Sequence, residues 1–175
     1  VVSGGATITS PNLFNTGLTA LNPGVNVLQW TIGNGVCANS SSTVSIQRDL
    51  NPTVANAGPS QTICALTTAT MAGNTAAIGT GTWSLLSGAG TITSPNLETT
   101  GITALGVGVN VFQWTIGNGA CPSTSSTMSI TRDLNPTVSN AGTNQTVCAT
   151  VATLNGNNPA VGTGTWSVVS GGATI

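Results

Sequence analysis

Charged residues are almost absent from this chain of 175 residues, which has two arginines, three carboxylates and no histidine. Binding to nucleic acid needs clustered Lys or Arg to meet the phosphates, and two isolated arginines do not form such a cluster. Together with a net charge of −1, this argues against nucleic acid as a partner. The charged residues are Arg48, Asp49, Glu98, Arg132 and Asp133.

The absence of histidine and lysine also removes the usual machinery of catalysis. A serine nucleophile needs such a base, and a thiol nucleophile needs a base as well. Glycoside hydrolysis needs two carboxylates within about 10 Å, whereas the three acids here are 49 and 35 residues apart along the chain. The Gly-rich segments GTGTWS and SGGAT precede neither a Lys nor a helix, so they do not match a phosphate-binding loop. We expect no enzymatic activity and no cofactor.

Long hydrophobic runs are missing as well. No apolar run approaches the roughly 20 residues of a membrane-spanning helix, and no basic amphipathic stretch suits a membrane surface, so we expect no membrane insertion. The residues that are abundant indicate a different class of protein. The chain is rich in Val, Ile and Thr and contains four Trp and 23 Gly, which is typical of folded β structure.

The sequence repeats itself with a period of 84 residues. SGGATITSPN returns as SGAGTITSPN, and NVLQWTIGNGVC returns as NVFQWTIGNGAC. The segment RDLNPTV occurs twice, and its two copies hold four of the five charges, which suits a boundary between units. On that division, residues 1–50 are the C-terminal part of one repeat, residues 51–134 are one complete repeat, and residues 135–175 are the N-terminal part of the next repeat.

The eight residues VVSGGATI stand at both ends of the chain, at 1–8 and at 168–175. Neither partial repeat can bury its apolar face alone, because half a sandwich leaves one side of its core open. If VVSGGATI is counted once, residues 135–175 followed by 1–50 make one repeat of 83 residues. We therefore expect the chain to be a window on a longer array that continues along one axis.

Apolar residues within the complete repeat alternate with a period of two. The strands NVFQWTIG and TMSIT each place their large apolar residues on one face, and in GTWSLL Trp83 shares a face with Leu85. All four Trp are in phase with apolar neighbours, which favours core packing over an exposed platform for sugar binding. The side chains predicted to be buried between two sheets are Trp83, Phe112, Trp114, Ile116 and Ile130.

The spacing of turns predicts the fold class. Turn residues recur about every 8 to 12 positions, no helical stripe is present, and Asn118-Gly119 predicts a type I′ hairpin turn. About seven short strands in one repeat indicate an all-β fold, in which tandem repeats of about 84 residues each form an immunoglobulin-like antiparallel β-sandwich.

The chain also resembles a known family. NAGPSQTIC, GTGTWSLLSGAGTITSPN, GVNVFQWTIGNGAC and STMSITRD are similar to the PKD-like, immunoglobulin-like repeats of very large Bacteroidota surface proteins. These proteins are exported by type IX secretion and include gliding-motility-associated adhesins. The resemblance spans the whole chain and implies an extracellular array of β-sandwiches on the cell surface. The chain lacks the acidic loops of better-studied PKD domains, which disfavours calcium binding.

The expected function is therefore structural. The repeats would extend and stiffen a long extracellular filament or adhesin stalk, with neighbouring repeats or identical copies along the fibre as partners. The alternative is a ligand-binding adhesin module that recognises carbohydrate or another surface. Asn39-Ser40-Ser41 and Asn144-Gln145-Thr146 match the N-glycosylation pattern, so glycan decoration is a further expectation.

The four cysteines are expected to form structural disulfides in an oxidising compartment. Their gaps and the lack of His do not fit a zinc site. The predicted pairing is Cys64–Cys121, which would close each repeat on itself. The alternative joins the first-strand cysteine of one repeat to the hairpin cysteine of an adjacent repeat. In the first case Cys37 and Cys148 pair outside this chain.

The repeat boundaries contain one Arg-Asp pair each. Calcium between tandem sandwiches needs six to eight oxygen ligands, and one carboxylate at a boundary supplies few of them. The sequence therefore favours a simple ion pair between Arg48 and Asp49, and between Arg132 and Asp133, on a solvated linker.

Overall fold

The computed structural model describes residues 1–172 and 174, and its regular elements in those residues are eleven strands. Four of them lie in residues 1–50 and seven in residues 51–134. The strands are β1 (Thr7–Ile8), β2 (Leu18–Thr19), β3 (Gly24–Ile32), β4 (Ser40–Arg48), β5 (Gln61–Cys64), β6 (Ala69–Ala72), β7 (Thr80–Ser87), β8 (Thr91–Ile92), β9 (Thr99–Thr103), β10 (Gly108–Asn118) and β11 (Cys121–Asp133).

Strands β5 to β11 form two sheets. One has three strands in the order β6-β9-β8, and the other has four strands in the order β5-β11-β10-β7. All neighbours are antiparallel except β5 and β11, the first and last strands of the repeat, which pair in parallel. This is an all-β, immunoglobulin-like sandwich, and it confirms the predicted fold class.

The core lies between these two sheets. Strand β10 alternates buried and half-buried residues along its length, and its buried face carries Phe112, Trp114 and Ile116. Trp83 of β7 packs beside Trp114, with ring centroids 5.1 Å apart. The facing sheet contributes side chains such as Met71. The apolar residues that alternate along the sequence of β10 are therefore the ones whose side chains are buried. The five side chains predicted for the core are between 0 and 2% exposed: Trp83, Phe112, Trp114, Ile116 and Ile130.

One polar side chain is buried with them. Asn110, at the start of β10, is 1% exposed. Its Oδ1 accepts from the Ala89 amide at 2.8 Å, and its Nδ2 donates to the carbonyls of Gly106, Gly108 and Ile130 at 3.0 to 3.2 Å. Asn26, one period earlier, makes the same kind of contacts, so each repeat uses this Asn to fix the loop before its penultimate strand.

Residues 1–50 and 135–172 do not form a closed sandwich. Residues 1–50 form two separate two-stranded sheets, β1-β2 and β3-β4, and residues 135–172 form no strand. Trp30 and Trp166 are 44% and 42% exposed, so the prediction of a buried core position is wrong for these two Trp in this chain. The physical reason is that neither has a second sheet packed over it.

The β10–β11 hairpin differs from the predicted turn. Asn118 pairs with Cys121 across the strands, so Gly119 and Ala120 are the two loop residues. Gly119 has a φ of +53°, whereas the φ of Ala120 is not positive. A glycine at the first loop position is typical of a type II′ turn, so the predicted type I′ turn is wrong. Asn118 is drawn into the ladder after an irregularity that follows Ile116.

Candidate functional site

Several polar contacts lie around residues 48–56, where the two copies of the repeating sequence meet. We call residues 48–56 the junction segment. Arg48 is bonded within its own repeat, residues 1–50, where its Nη1 donates to the Leu21 carbonyl at 2.8 Å. Asp49 reaches forward, and its Oδ2 accepts from the Ala120 amide at the tip of the β10–β11 hairpin at 2.8 Å. Adjacent residues are therefore anchored to different repeats.

These contacts replace the predicted Arg48–Asp49 ion pair. The second carboxylate oxygen of Asp49 accepts from Gln47 Nε2 at 2.7 Å, while the Arg48 guanidinium donates to the Leu21 carbonyl. Two neighbouring side chains on an extended backbone point to opposite sides. Each therefore reaches a different repeat.

The hairpin tip is closely fitted to the junction segment. Asn118 Nδ2 donates to the Leu50 carbonyl at 2.8 Å. A Cβ atom at Gly119 would collide with the Asp49 carboxylate. The Ala120 amide and, second, the Gln47 side chain hold the pKa of Asp49 below its ordinary value of 3.8, because both donate to the ionised form.

The remainder of the junction segment lies against the complete repeat. Thr53 exchanges bonds with Ile78: its amide donates to the Ile78 carbonyl at 3.0 Å, and its Oγ1 accepts from the Ile78 amide at 2.9 Å. Thr124 of β11 donates to the Thr53 carbonyl and accepts from the Ala55 amide. Pro52 is buried. The segment is thus a docked part of the domain and not the predicted solvated linker.

The opposite end of the sandwich carries the second Arg-Asp pair. Arg132 donates from Nε and Nη2 to the Ala65 carbonyl at 3.3 and 3.2 Å, and from Nη1 to the Leu105 carbonyl at 3.4 Å. Leu105 is one period after Leu21, so both arginines make the same backward contact. The Asp133 carbonyl accepts from the Ala65 amide at 2.8 Å.

The two cysteines of residues 51–134 are too far apart to form a disulfide with each other. All four are free thiols in the structure. Cys64 is paired with Asp133 at one end of β11, and Cys121 is the first residue of the same strand. Twelve residue steps at about 3.3 Å each separate the ends of β11 by about 40 Å, whereas disulfide-bonded Cα atoms lie about 4.4 to 6.8 Å apart. The predicted Cys64–Cys121 bond is therefore wrong.

The other candidate sites stay apart as well. Asp49 and Asp133 lie at opposite ends of the complete repeat, and Glu98 accepts a long bond from Thr75 Oγ1 at 3.4 Å. Within residues 1–172 and 174, no group of three or more His, Cys, Asp or Glu could hold a metal ion. The glycosylation candidates Asn39 and Asn144 are both exposed.

In the part of the chain that the structure describes, no helix has the length and apolar character needed to cross a membrane.

Some junction residues escape prediction from sequence. The Ala120 amide, Asn118 and Thr124 meet the junction segment only after about 70 residues of intervening chain, so no local pattern reports them. The available signal was the repetition itself. RDLNP follows the Asn-Gly dipeptide at the same distance along the sequence in both copies. A contact that recurs between consecutive repeats requires such constant spacing.

Among solved structures, the chain is similar to the solution structure of the PKD domain from the KIAA 1837 protein. The two are 21% identical, the match covers 46% of this chain and 85% of that chain, and the TM-score is 0.41. No protein-family model matches the chain, and no curated protein matches it.

Proposed function

We propose that this chain is a structural segment of a long extracellular filament or adhesin stalk on a cell surface, of the kind found in the Bacteroidota surface proteins it resembles. In this proposal residues 51–134 are one PKD-like repeat, and residues 1–50 and 135–175 are parts of the repeats on either side. Consecutive repeats of the same chain, or identical copies along a fibre, are its partners.

The observation that supports this proposal is the Arg48-Asp49 dipeptide at the junction. Arg48 is bonded within residues 1–50 and Asp49 is bonded to residues 51–134, so a single peptide unit lies between the two anchors. Such a connection has few free backbone dihedrals, and flexible interdomain linkers have many. Repeats joined in this way resist bending.

The composition agrees with a spacer. With 3% charged residues, the complete repeat offers little charge for selective recognition of a soluble partner. Residues with small polar side chains dominate the exposed face of β11, as in Ser123, Ser125 and Thr127. Such a surface suits a tethered array better than a free, concentrated monomer.

The alternative function, ligand recognition, needs exposed aromatic side chains that can stack on a sugar. A groove of about 550 Å³ does run beside Trp114, Glu98 and Asn96. However, Trp114 and Trp83 are 1% and 2% exposed, and their ring nitrogens are bonded to the carbonyls of Asn74 and Glu98. The groove therefore presents polar rims and no aromatic face.

Electron microscopy of the native protein tests the proposal. We expect a continuous thin fibre with an axial period of about 40 Å, which is the length of β11 at 3.3 Å per residue. Globular particles without a regular axial period would contradict the proposal. Binding of the same material to a glycan array, abolished by Glu98→Gln, would favour the ligand-binding alternative.

A further inference from the structure

The two cysteines of the complete repeat lie beside the same aspartate position of the repeating sequence. Cys64 is directly opposite Asp133 in the parallel pairing of β5 with β11. Cys121 follows Ala120, whose amide donates to Asp49. Asp49 and Asp133 are one period of 84 residues apart. Cys64 thus lies at the end of the repeat that joins the following repeat. Cys121 lies at the opposite end, next to the contact with the preceding residues.

The periodicity brings these two positions to one junction. The contact seen between Asp49 and the β10–β11 hairpin predicts that Asp133 meets the corresponding hairpin of the following repeat. That hairpin carries a cysteine one residue after the bonded amide. Neighbouring strands are about 4.8 Å apart, so Cys64 and this second cysteine both come within about one side-chain length of Asp133.

We propose that disulfides join consecutive repeats, with Cys64 bonded to the hairpin cysteine of the following repeat and Cys121 bonded to the first-strand cysteine of the preceding repeat. This inference rests on the tandem array proposed above. By the same rule, Cys148 pairs with a hairpin cysteine further along, and Cys37 pairs with a first-strand cysteine further back.

Both thiols are accessible to an oxidant. Cys64 is exposed and Cys121 is partly exposed. Cys64 Sγ lies 3.4 Å from Asn135 Oδ1, just beyond the Arg132-Asp133 pair, so the thiol faces the junction with the following repeat. Neither sulfur lies in the core, so a bond from either one to a cysteine of the adjacent repeat does not require the sandwich to open.

The chemistry is thiol–disulfide exchange with a low-molecular-weight disulfide such as oxidised glutathione. One protein thiolate attacks the oxidant, forms a mixed disulfide and releases one glutathione thiolate. The cysteine of the adjacent repeat then attacks the mixed disulfide and releases the second. Two protein thiols lose two electrons and two protons, and one oxidised glutathione becomes two reduced molecules.

The positions of arginine provide a direct test. Trypsin cleaves after Lys and Arg, and this chain has only Arg48 and Arg132, so the enzyme cuts once in each repeat. The fragment 49–132 contains both Cys64 and Cys121. The native array is alkylated to block free thiols, denatured and digested without reductant.

We expect the fragments to stay linked as a ladder of multiples of one repeat, and to collapse to single repeats when a reductant is added. Release of single repeats that each contain an internal disulfide would overturn the proposal in favour of a bond within one repeat. Release of single repeats with alkylated cysteines would overturn it as well.

A matched variant identifies the residue. Cys64→Ser should split the ladder at one junction only. Adding Ser60→Cys, at the exposed residue just before β5, should not restore the link. In the 175-residue chain itself, oxidised at low concentration, fragment 49–132 should carry no internal disulfide. Its presence would contradict the proposal.

The outcome is separable from that of the proposed function. A regular fibre whose tryptic fragments separate without reductant leaves the filament proposal intact and overturns the disulfide proposal. Disulfide-linked fragments from material without a fibre would overturn the filament proposal and retain the linkage.

Discussion

The buried side chain of Asn110 makes hydrogen bonds to the backbone that a small apolar side chain at this position could not make. Its amide satisfies one backbone N–H and three carbonyls at the beginning of β10, where the chain turns from one sheet into the other. A buried polar side chain whose hydrogen bonds are all made stabilises the fold. If it is removed, its former backbone partners are left buried without a hydrogen bond, and this lowers the free energy of unfolding. Asn26 repeats the arrangement in the open first repeat.

The variant Asn110→Ala should therefore destabilise the complete repeat by about 3 kcal/mol, because several buried backbone groups lose their partner. Urea unfolding followed by Trp fluorescence measures the change, since Trp83 and Trp114 lie in the same core. Asn96→Ala is the control, because Asn96 is exposed and should shift the midpoint little. An equal loss in both variants would contradict this assignment.

Asp49 contributes more to the junction in its ionised form, because a carboxylate is a stronger acceptor than a protonated carboxyl. Because its pKa is lowered in the folded protein, its contribution is present above the unfolded value of 3.8 and is lost as the pH falls through the lower folded value. We expect the NMR shift of the Ala120 amide to titrate below pH 3.8. Asp49→Asn should abolish that titration, and Glu98→Gln should preserve it. A titration that survives Asp49→Asn would assign it to another group.

At the scale of the element, sequence reasoning succeeds where the pattern is local. The period-two alternation in β10 identifies which side chains face the core, because burial on a strand follows the same period. It fails where the outcome depends on partners distant in sequence. The hairpin loop shifts by one residue because Asn118 joins the ladder, and only the pairing with Cys121 reveals this.

The cysteines illustrate the same limit. Nothing local to QTIC shows whether β5 runs parallel or antiparallel to β11, yet this direction decides whether Cys64 lies near Cys121 or at the other end of the strand. The junction contacts depend on the same long-range arrangement. Composition and repetition therefore predicted the fold class, while the polar contacts of the junction required the structure.

The GTGTWS motif has a packing role that also belongs to this scale. A Cβ at Gly81 of β7 would overlap the Trp114 ring, so Gly81→Ala should destabilise the complete repeat by about 2 kcal/mol through overpacking. Gly164 occupies the same place in the open C-terminal repeat and has no atom within 4 Å of such a Cβ. Gly164→Ala is thus the matched control, and thermal unfolding by circular dichroism should separate the two. Equal melting temperatures would contradict the close packing.

For the whole molecule, the important property is the short connection between residues 1–50 and 51–134, in which adjacent residues are anchored on opposite sides. Insertion of Gly-Ser-Gly-Ser between Arg48 and Asp49 should separate the two anchors and allow the first repeat to reorient, because such a linker is a flexible coil. Small-angle X-ray scattering should show a broader distribution of interatomic distances. The same insertion between Gly35 and Val36, at an exposed turn, should leave the distribution at long distances unchanged.

In the array proposed above, the parallel pairing of β5 with β11 would determine how mechanical load is carried. Tension along the array pulls β5 toward the preceding repeat and β11 toward the following one, so the two strands are drawn past each other along their length. The four residue pairs between them, from Ile130 opposite Gln61 to Asp133 opposite Cys64, are then loaded together in shear and cannot open one at a time as in a peeled hairpin. Resistance to stretching thus resides in the same pair of strands whose ends meet the neighbouring repeats.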